Sequence, residues 1–504
     1  MQYQLAQAPP HSPESPAHST PGQTSDHTTG QNDGHATQAH TAASGGHHTD
    51  LSYWKNMGTG AVILNVAPFV VLLLMIAILP LTSKLSHWWE HNRNKLLVAG
   101  LCGITGIALY VAPTHDLVKI FHTYVEYVAF IALLASLFIV SGGIHISGAF
   151  AGSPKVNTAF MAIGAVLANI TGTTGASMLL IRPLIRANQH RENKTHIFIF
   201  FIFIVANCGG LLTPLGDPPL YLGFLRGVPF AWTLGLIKQW SFVIGMLLTV
   251  FYLLDSHMYK KESAEAKEAV AQQATETVEG KKLHIEGTFN LGLLLGVVGV
   301  ILASGYLVFP LLSQALGHEM GDLGSKAFQI IAMGLIALAS FKLTPKKIHE
   351  VNSFSFVPIL EVACLFVGIF GAMIPALTLL EAKGASMAIA APWQYYWVSG
   401  GLSGFLDNAP TYVTFVTLAA SKTGLSADNL LQLSLQQPHL LAAISCGSVM
   451  MGALSYIGNG PNFMVKAIAE HARIKMPSFG GYMVWSGMVL IPIFILTTFL
   501  FFLK

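Results

Sequence analysis

The sequence predicts an all-α polytopic membrane protein of two inverted-topology repeats, each with five transmembrane helices, a re-entrant hairpin and a broken helix. Three observations lead there. Of 504 residues, 53% are hydrophobic and only 10% charged, with a mean hydropathy of +0.57; a soluble domain carries about 25% charged residues. Apolar stretches long enough to cross a bilayer recur from residue 60 onward. Polar interruptions of those stretches recur in one order in both halves.

Composition excludes several classes of function. Four cysteines (Cys102, Cys208, Cys364 and Cys446) all lie in apolar runs, which argues against a secreted disulfide scaffold. The formal charge of +3 is small and the basic residues sit in short loops, so a nucleic-acid partner is not expected. No phosphate loop, His-Glu zinc helix or metal-spaced Cys pair occurs. The chain therefore reads as neither an enzyme nor a cofactor protein, and any pumping must draw on an ion gradient.

Residues 1–50 hold seven histidines (His11, His18, His27, His35, His40, His47 and His48) among Ser, Thr, Pro, Gly and Gln. Such a tail cannot bury a core and is expected to be disordered. Leu5-Ala6-Gln7-Ala8 resembles a signal-peptide cleavage end, but no apolar segment precedes it.

The first repeat occupies 51–254, a charged cytoplasmic linker 255–286, and the second repeat 287–504. Spans are expected at 60–82, 95–113, 123–144, 195–216, 232–254, 287–306, 326–343, 354–380, 438–457 and 482–503. The segments 156–188 and 391–420 carry Gly, Pro, Thr and Asn near their middles and read as re-entrant hairpins. Lys and Arg concentrate at 84–95, 182–194, 260–282, 342–347 and 466–475. The positive-inside rule puts those loops in the cytoplasm and both termini outside.

The halves share three markers. Glu126, Asn169 and Asp217 follow one another at intervals of 43 and 48 residues; Glu361, Asn408 and Asn459 follow at 47 and 51. Each half crosses the membrane an odd number of times, so the two must be oppositely oriented, the plan of secondary transporters. Gly and Pro beside polar residues free backbone groups, tolerated at membrane depth only where they line a cavity. Thr213-Pro214-Leu215-Gly216-Asp217-Pro218-Pro219 and Ser455 to Asn462 are such breaks, each meeting a hairpin tip near 169–174 or 407–411. The expected ion or substrate ligands are Asn169, Thr171, Thr173, Thr174, Asp217, Asp407, Asn408, Thr411, Asn459 and Asn462. Their hard oxygen donors suit Na⁺. Asp217 and Asp407 are the expected Na⁺ and proton carriers, and Glu361 and Glu126 are candidate proton carriers or interfacial residues. Arg182 and Arg186, one turn apart, read either as contacts for an anion or as anchors at the membrane edge.

The chain from about residue 60 onward resembles the ion transporter superfamily of NhaD-type sodium/proton antiporters, arsenite permeases and citrate and dicarboxylate carriers. The likeness rests on Ala168-Asn169-Ile170-Thr171-Gly172-Thr173-Thr174, on Ile181 to Asn188 and on Leu212 to Leu220. It continues in Pro358-Ile359-Leu360-Glu361-Val362 and Leu406-Asp407-Asn408-Ala409-Pro410-Thr411. The resemblance implies two inverted repeats meeting at midplane ion sites, elevator-like alternation, a homodimer and a bacterial inner-membrane location. Carboxylate carriers of the superfamily have Ser-Asn-Thr at their hairpin tips; here the tips read Asn169-Ile170-Thr171 and Asp407-Asn408-Ala409.

Charge then orders the functional readings. Two like charges 4 Å apart at an effective dielectric of 20 repel by about 4 kcal/mol. Three carboxylates around one site would therefore reject an anion, so sodium/proton antiport is the leading expectation. Cation-coupled uptake of citrate or another carboxylate is the alternative, with helix N-termini holding the substrate carboxyls. A passive channel or membrane scaffold comes third.

Overall fold

The computed structural model describes residues 51–504 except 83–84, 90, 148–150, 280–283, 353 and 504. The His-rich tail lies outside the described residues. The described chain is all-α apart from one pair of short strands. Among the described residues, nine helices are long and apolar enough to cross a membrane by length and composition, one of them the doubled-back Pro154–Ala187, and two shorter apolar helical segments occupy Thr195–Leu211 and Pro438–Leu454.

Helices α1 (Thr59–Ile78), α2 (Asn92–Thr114) and α3 (Leu117–Gly142) come first. Strand β1 (His145–Ser147) follows, and pairs antiparallel with β2 (His284–Glu286) from the end of the linker. Then comes α4 (Pro154–Ala187), begun by the Ser153 hydroxyl accepting from the Val156 N–H. As a straight rod α4 would hold Asn157 and Asn188, 31 positions apart, about 46 Å from each other. Instead their side-chain amides exchange hydrogen bonds of 3.0 and 2.8 Å. The chain doubles back at Gly172, whose φ of 75° and ψ of 158° suit glycine alone. The segment read as a hairpin is one.

Next stand α5 (Thr195–Ile204), α6 (Pro218–Leu225) and α7 (Ile237–Lys260), then linker helix α8 (Ala264–Glu279). Here the structure corrects two boundaries. The expected span 195–216 is helical only to Ile204, because the Asn207 amide turns back onto the Ile202 carbonyl and opens an irregular stretch. The helix expected to stop at 254 runs on to Lys260, because Asp255 and Glu262 are buried against Arg191 at 2.7 and 2.9 Å.

The second half holds α9 (Phe289–Ala303), which continues through a π turn at Ser304–Val308 into α10 (Phe309–Leu316). Then come α11 (His318–Leu343) and α12 (Val357–Lys383). A second hairpin follows, from α13 (Pro392–Ser403) and α14 (Asn408–Thr423), then α15 (Pro438–Met450), α16 (Gly460–His471) and α17 (Phe479–Phe501). The expected span 438–457 stops being α-helical at Met450.

The helices pack as two groups. In one, α2 lies along α12, with α1 against both, and α3 lies along α11 and α9. Close approach explains the first contact: a Cβ on Gly106 would stand 2.6 Å from the Ala372 Cα, so only small residues let these helices meet. The other group surrounds α5, where every residue from Ile197 to Ala206 is 0% exposed. A helix apolar on all sides belongs at the centre of a packed bundle. Around it stand the first hairpin, α7 and α16, with α15 against the second hairpin. The groups touch where α3 meets α4 and where α12 meets α14.

Candidate functional site

Four chain interruptions come together inside the second group. The first break runs from Ile204 through a 3₁₀ turn at Cys208–Leu211 to Asp217, the N-cap of α6. The second runs from Met450 through a 3₁₀ turn at Met451–Leu454 to Asn459, the N-cap of α16. Pro218, Pro219 and Pro461 lack the N–H that a helix interior needs but suit its first turn, which fixes where each half-helix starts. Hairpin tips close on both. The Thr173 N–H donates to the Gly216 carbonyl at 2.9 Å, and the Ser455 hydroxyl donates to the Gly404 carbonyl at 2.5 Å.

Asp217 is the centre, 1% exposed. Its carboxylate accepts from the Thr173 hydroxyl at 2.9 Å, from the Asn459 amide at 3.3 Å and from the Asn408 amide. One donor comes from the first hairpin, one from the second break and one from the second hairpin. All three are neutral. Among the described residues, no Lys, Arg or His forms an ion pair with Asp217. The Oδ1 atom of Asn408, fully buried, has no hydrogen-bond partner among the described residues. An unneutralised carboxylate beside an unused amide oxygen is a donor set for a small hard cation.

The other expected ligands divide. Asn169 holds its tip against the first break: its Oδ1 accepts from the Leu212 N–H at 2.7 Å, and its carbonyl accepts from the Thr213 hydroxyl at 2.5 Å. Thr171 and Thr411 turn their hydroxyls back onto the carbonyls of Leu167 and Asp407, at 3.1 and 2.9 Å. Thr174 is half-buried beside the tip. Asp407 caps α14, its Oδ1 accepting from the Ala409 N–H at 3.0 Å. Asn462 donates to the carbonyls of Gly452 and Ser455, both at 2.9 Å.

Glu126 and Glu361 join none of this. Glu361 pairs with Lys95 at 2.6 Å. Glu126 faces Arg226 at 3.4 Å and Lys326 at 3.7 Å, ion pairs made with other helices. One residue of the cluster was not expected. Asn207 donates to Asn462 Oδ1 at 2.7 Å and accepts from the Asn459 amide at 3.3 Å, so it links both breaks from the first. Its signal in the sequence is a single amide beside Gly209-Gly210 in a run of Phe, Ile and Val.

Residues 58–502 match the model of a family described as "Putative citrate transport". The chain belongs to this citrate transport family. The match takes in both hairpins and both breaks and leaves the His-rich tail aside. No curated protein matches the chain. Members of the citrate transport family are membrane transporters rather than enzymes, and the chain is an integral membrane protein of that kind.

Proposed function

We propose that the protein carries citrate or a closely related carboxylate across the membrane, coupled to a cation held at Asp217. The observation that carries this reading is the buried Asp217 carboxylate, which has three neutral donors and no basic partner. Three carboxylates, Asp217, Asp407 and Glu361, around one site would favour cation exchange. The pairing of Glu361 with Lys95 takes one of those charges away from the site, and the N-terminal partial charge of α14 offsets part of the charge on Asp407. With Na⁺ held at Asp217 and the Asp407 carboxylate set on a helix N-terminus, the site repels an anion far less than three free carboxylates would. Helices α6, α14 and α16 all begin beside this cluster. Their N-terminal partial charges favour a carboxylate next to the bound cation.

The matched markers of the two halves support an inverted repeat, with both breaks and both hairpins facing one midplane site. Alternating access would then move the group around α5 against the group formed by α1–α3, α9, α11 and α12. A homodimer in the bacterial inner membrane, with both termini outside, completes the proposal.

Sodium/proton antiport stays as the second reading, since one buried carboxylate can hold Na⁺ and H⁺ in turn. Proteoliposomes separate the two. Radiolabelled citrate should accumulate under an inward Na⁺ gradient and fail to accumulate when choline replaces Na⁺. No citrate uptake, together with Na⁺-driven proton release from the same vesicles, would favour antiport.

A further inference from the structure

Most buried cations of this protein have carboxylate partners. Lys95 pairs with Glu361, Arg191 with Asp255 and Glu262, Arg226 with Glu126, and Lys326 with Asp322. Two half-buried arginines depart from the pattern. Among the described residues, neither Arg182 nor Arg186 lies within ion-pair distance of a carboxylate. Arg186 donates from Nη2 to the Ile146 carbonyl of β1 at 2.7 Å. Among the described residues, the buried Nη1 of Arg182 has no acceptor. An anchor at the membrane edge would keep its guanidinium in water, so burial of that nitrogen argues against the anchoring role.

Position supplies the rest. Arg182 lies ten residues beyond the Gly172 tip, about 15 Å along the returning arm of α4. At 100° per residue, Gly175, Arg182 and Arg186 share one face of that arm. The face turns toward α3: a Cβ on Gly175 would come 2.6 Å from the Ser141 hydroxyl, itself buried and without a partner. The returning arm itself runs from the tip beside the Asp217 cluster to the end of α4 that loop charge puts in the cytoplasm.

We infer that Arg182 and Arg186 form a second binding site, for the carboxylate groups of the transported anion on the cytoplasmic side of the α3–α4 seam. The inference rests on the carboxylate reading of the Asp217 site. Two guanidiniums one turn apart offer paired N–H donors to two carboxylate groups of a di- or tricarboxylate. They would hold the anion after it has left the cation.

The test is a citrate titration of purified protein in Na⁺, read by tryptophan fluorescence and by thermal shift, beside a Na⁺ titration of the same samples. R182Q and R186Q should each raise the citrate Kd about ten-fold or more, with the Na⁺ response intact as evidence of a folded Asp217 site. R182K keeps the charge but loses the planar fork, so a rise of about three-fold is expected; it reads the same quantity if R182Q does not fold. Equal citrate affinity in wild type, R182Q and R186Q would overturn the inference while leaving the function standing. No citrate response in wild type would instead remove the carboxylate reading itself. A parallel series adds phosphatidylglycerol. If R182Q loses stabilisation by that lipid but keeps its citrate affinity, the site belongs to a headgroup and the inference fails.

Discussion

The two helix breaks have nearly one backbone and opposite surroundings. Asp217 caps α6 at φ −148°, ψ 145°, and Asn459 caps α16 at φ −150°, ψ 140°. Around the Asp217 side chain stand three donors, from Thr173, Asn408 and Asn459. Around the Asn459 amide stand three acceptors: the Ala206 carbonyl at 3.1 Å, Asn207 Oδ1 at 3.3 Å and Asp217 Oδ1 at 3.3 Å. Each break therefore dictates the polarity of its own capping residue. The second break is spent on serving the first, and charge is confined to one of two geometrically equivalent positions. Under the proposed reading, one cation at Asp217 then answers the charge of both breaks.

The largest expected effect is removal of that charge. A carboxylate and a cation 4 Å apart at an effective dielectric of 20 attract by about 4 kcal/mol, roughly a thousand-fold in affinity. D217N should therefore abolish Na⁺-dependent citrate uptake in proteoliposomes while the protein still folds. Moving the charge should not restore it: D217N/N459D puts a carboxylate against the Ala206 carbonyl oxygen and Asn207 Oδ1. Restored uptake in the double variant would show that the breaks are interchangeable and end the comparison. N459D alone comes next. It puts a second carboxylate within 3.3 Å of the first, a repulsion of about 4 kcal/mol. The expected result is a lowered unfolding temperature that Na⁺ partly restores, and an unchanged temperature would mean that the two side chains do not face each other.

How much of this could be read from the chain follows from how local each signal is. Gly216-Asp217-Pro218-Pro219 and Gly458-Asn459-Gly460-Pro461 announce half-helix starts within four residues, and Gly172 announces a tip. Of the repeated markers, Asp217, Asn408 and Asn459 do meet, whereas Asn169 braces its tip and the donor from the first hairpin is Thr173, a residue outside the repeated order. Roles decided by distant partners were not. Glu361 reads equally as a proton carrier or an interfacial residue until Lys95, far back in the chain, is found beside it. Arg191 counts as one more loop charge, yet it is 2% exposed between Asp255 and Glu262. Asn169 and Asp407 have side chains that suit a ligand as well as a brace or a cap. Only the N–H groups of Leu212 and Ala409 decide for the latter.

The donor side of the comparison is sharpened by T173V. This removes the 2.9 Å hydroxyl bond to Asp217 with little change of shape. A hydrogen bond to a charged group contributes about 1.5–3 kcal/mol. The loss of thermal stability should be larger without Na⁺ than with it, because a bound cation compensates the missing donor. An equal loss in both conditions would place the cation away from Asp217.

The smallest expected effect separates the two aspartates. Asp407 precedes Asn408, which donates to Asp217, so its carboxylate belongs to the same neighbourhood in the chain. Yet its Oδ1 is occupied by the Ala409 N–H, the ordinary work of an N-cap. Asn caps a helix about as well as Asp, whereas Ala costs about 1 kcal/mol. D407N should therefore keep citrate uptake within about two-fold of wild type, and D407A should lose about 1 kcal/mol of stability. A capping role allows no other ranking of those two variants. If D407N instead stops Na⁺-dependent uptake as completely as D217N, both carboxylates carry the cation. The negative charge would then be shared between the first break and the second hairpin, and the asymmetry between the halves would lie in the donors alone.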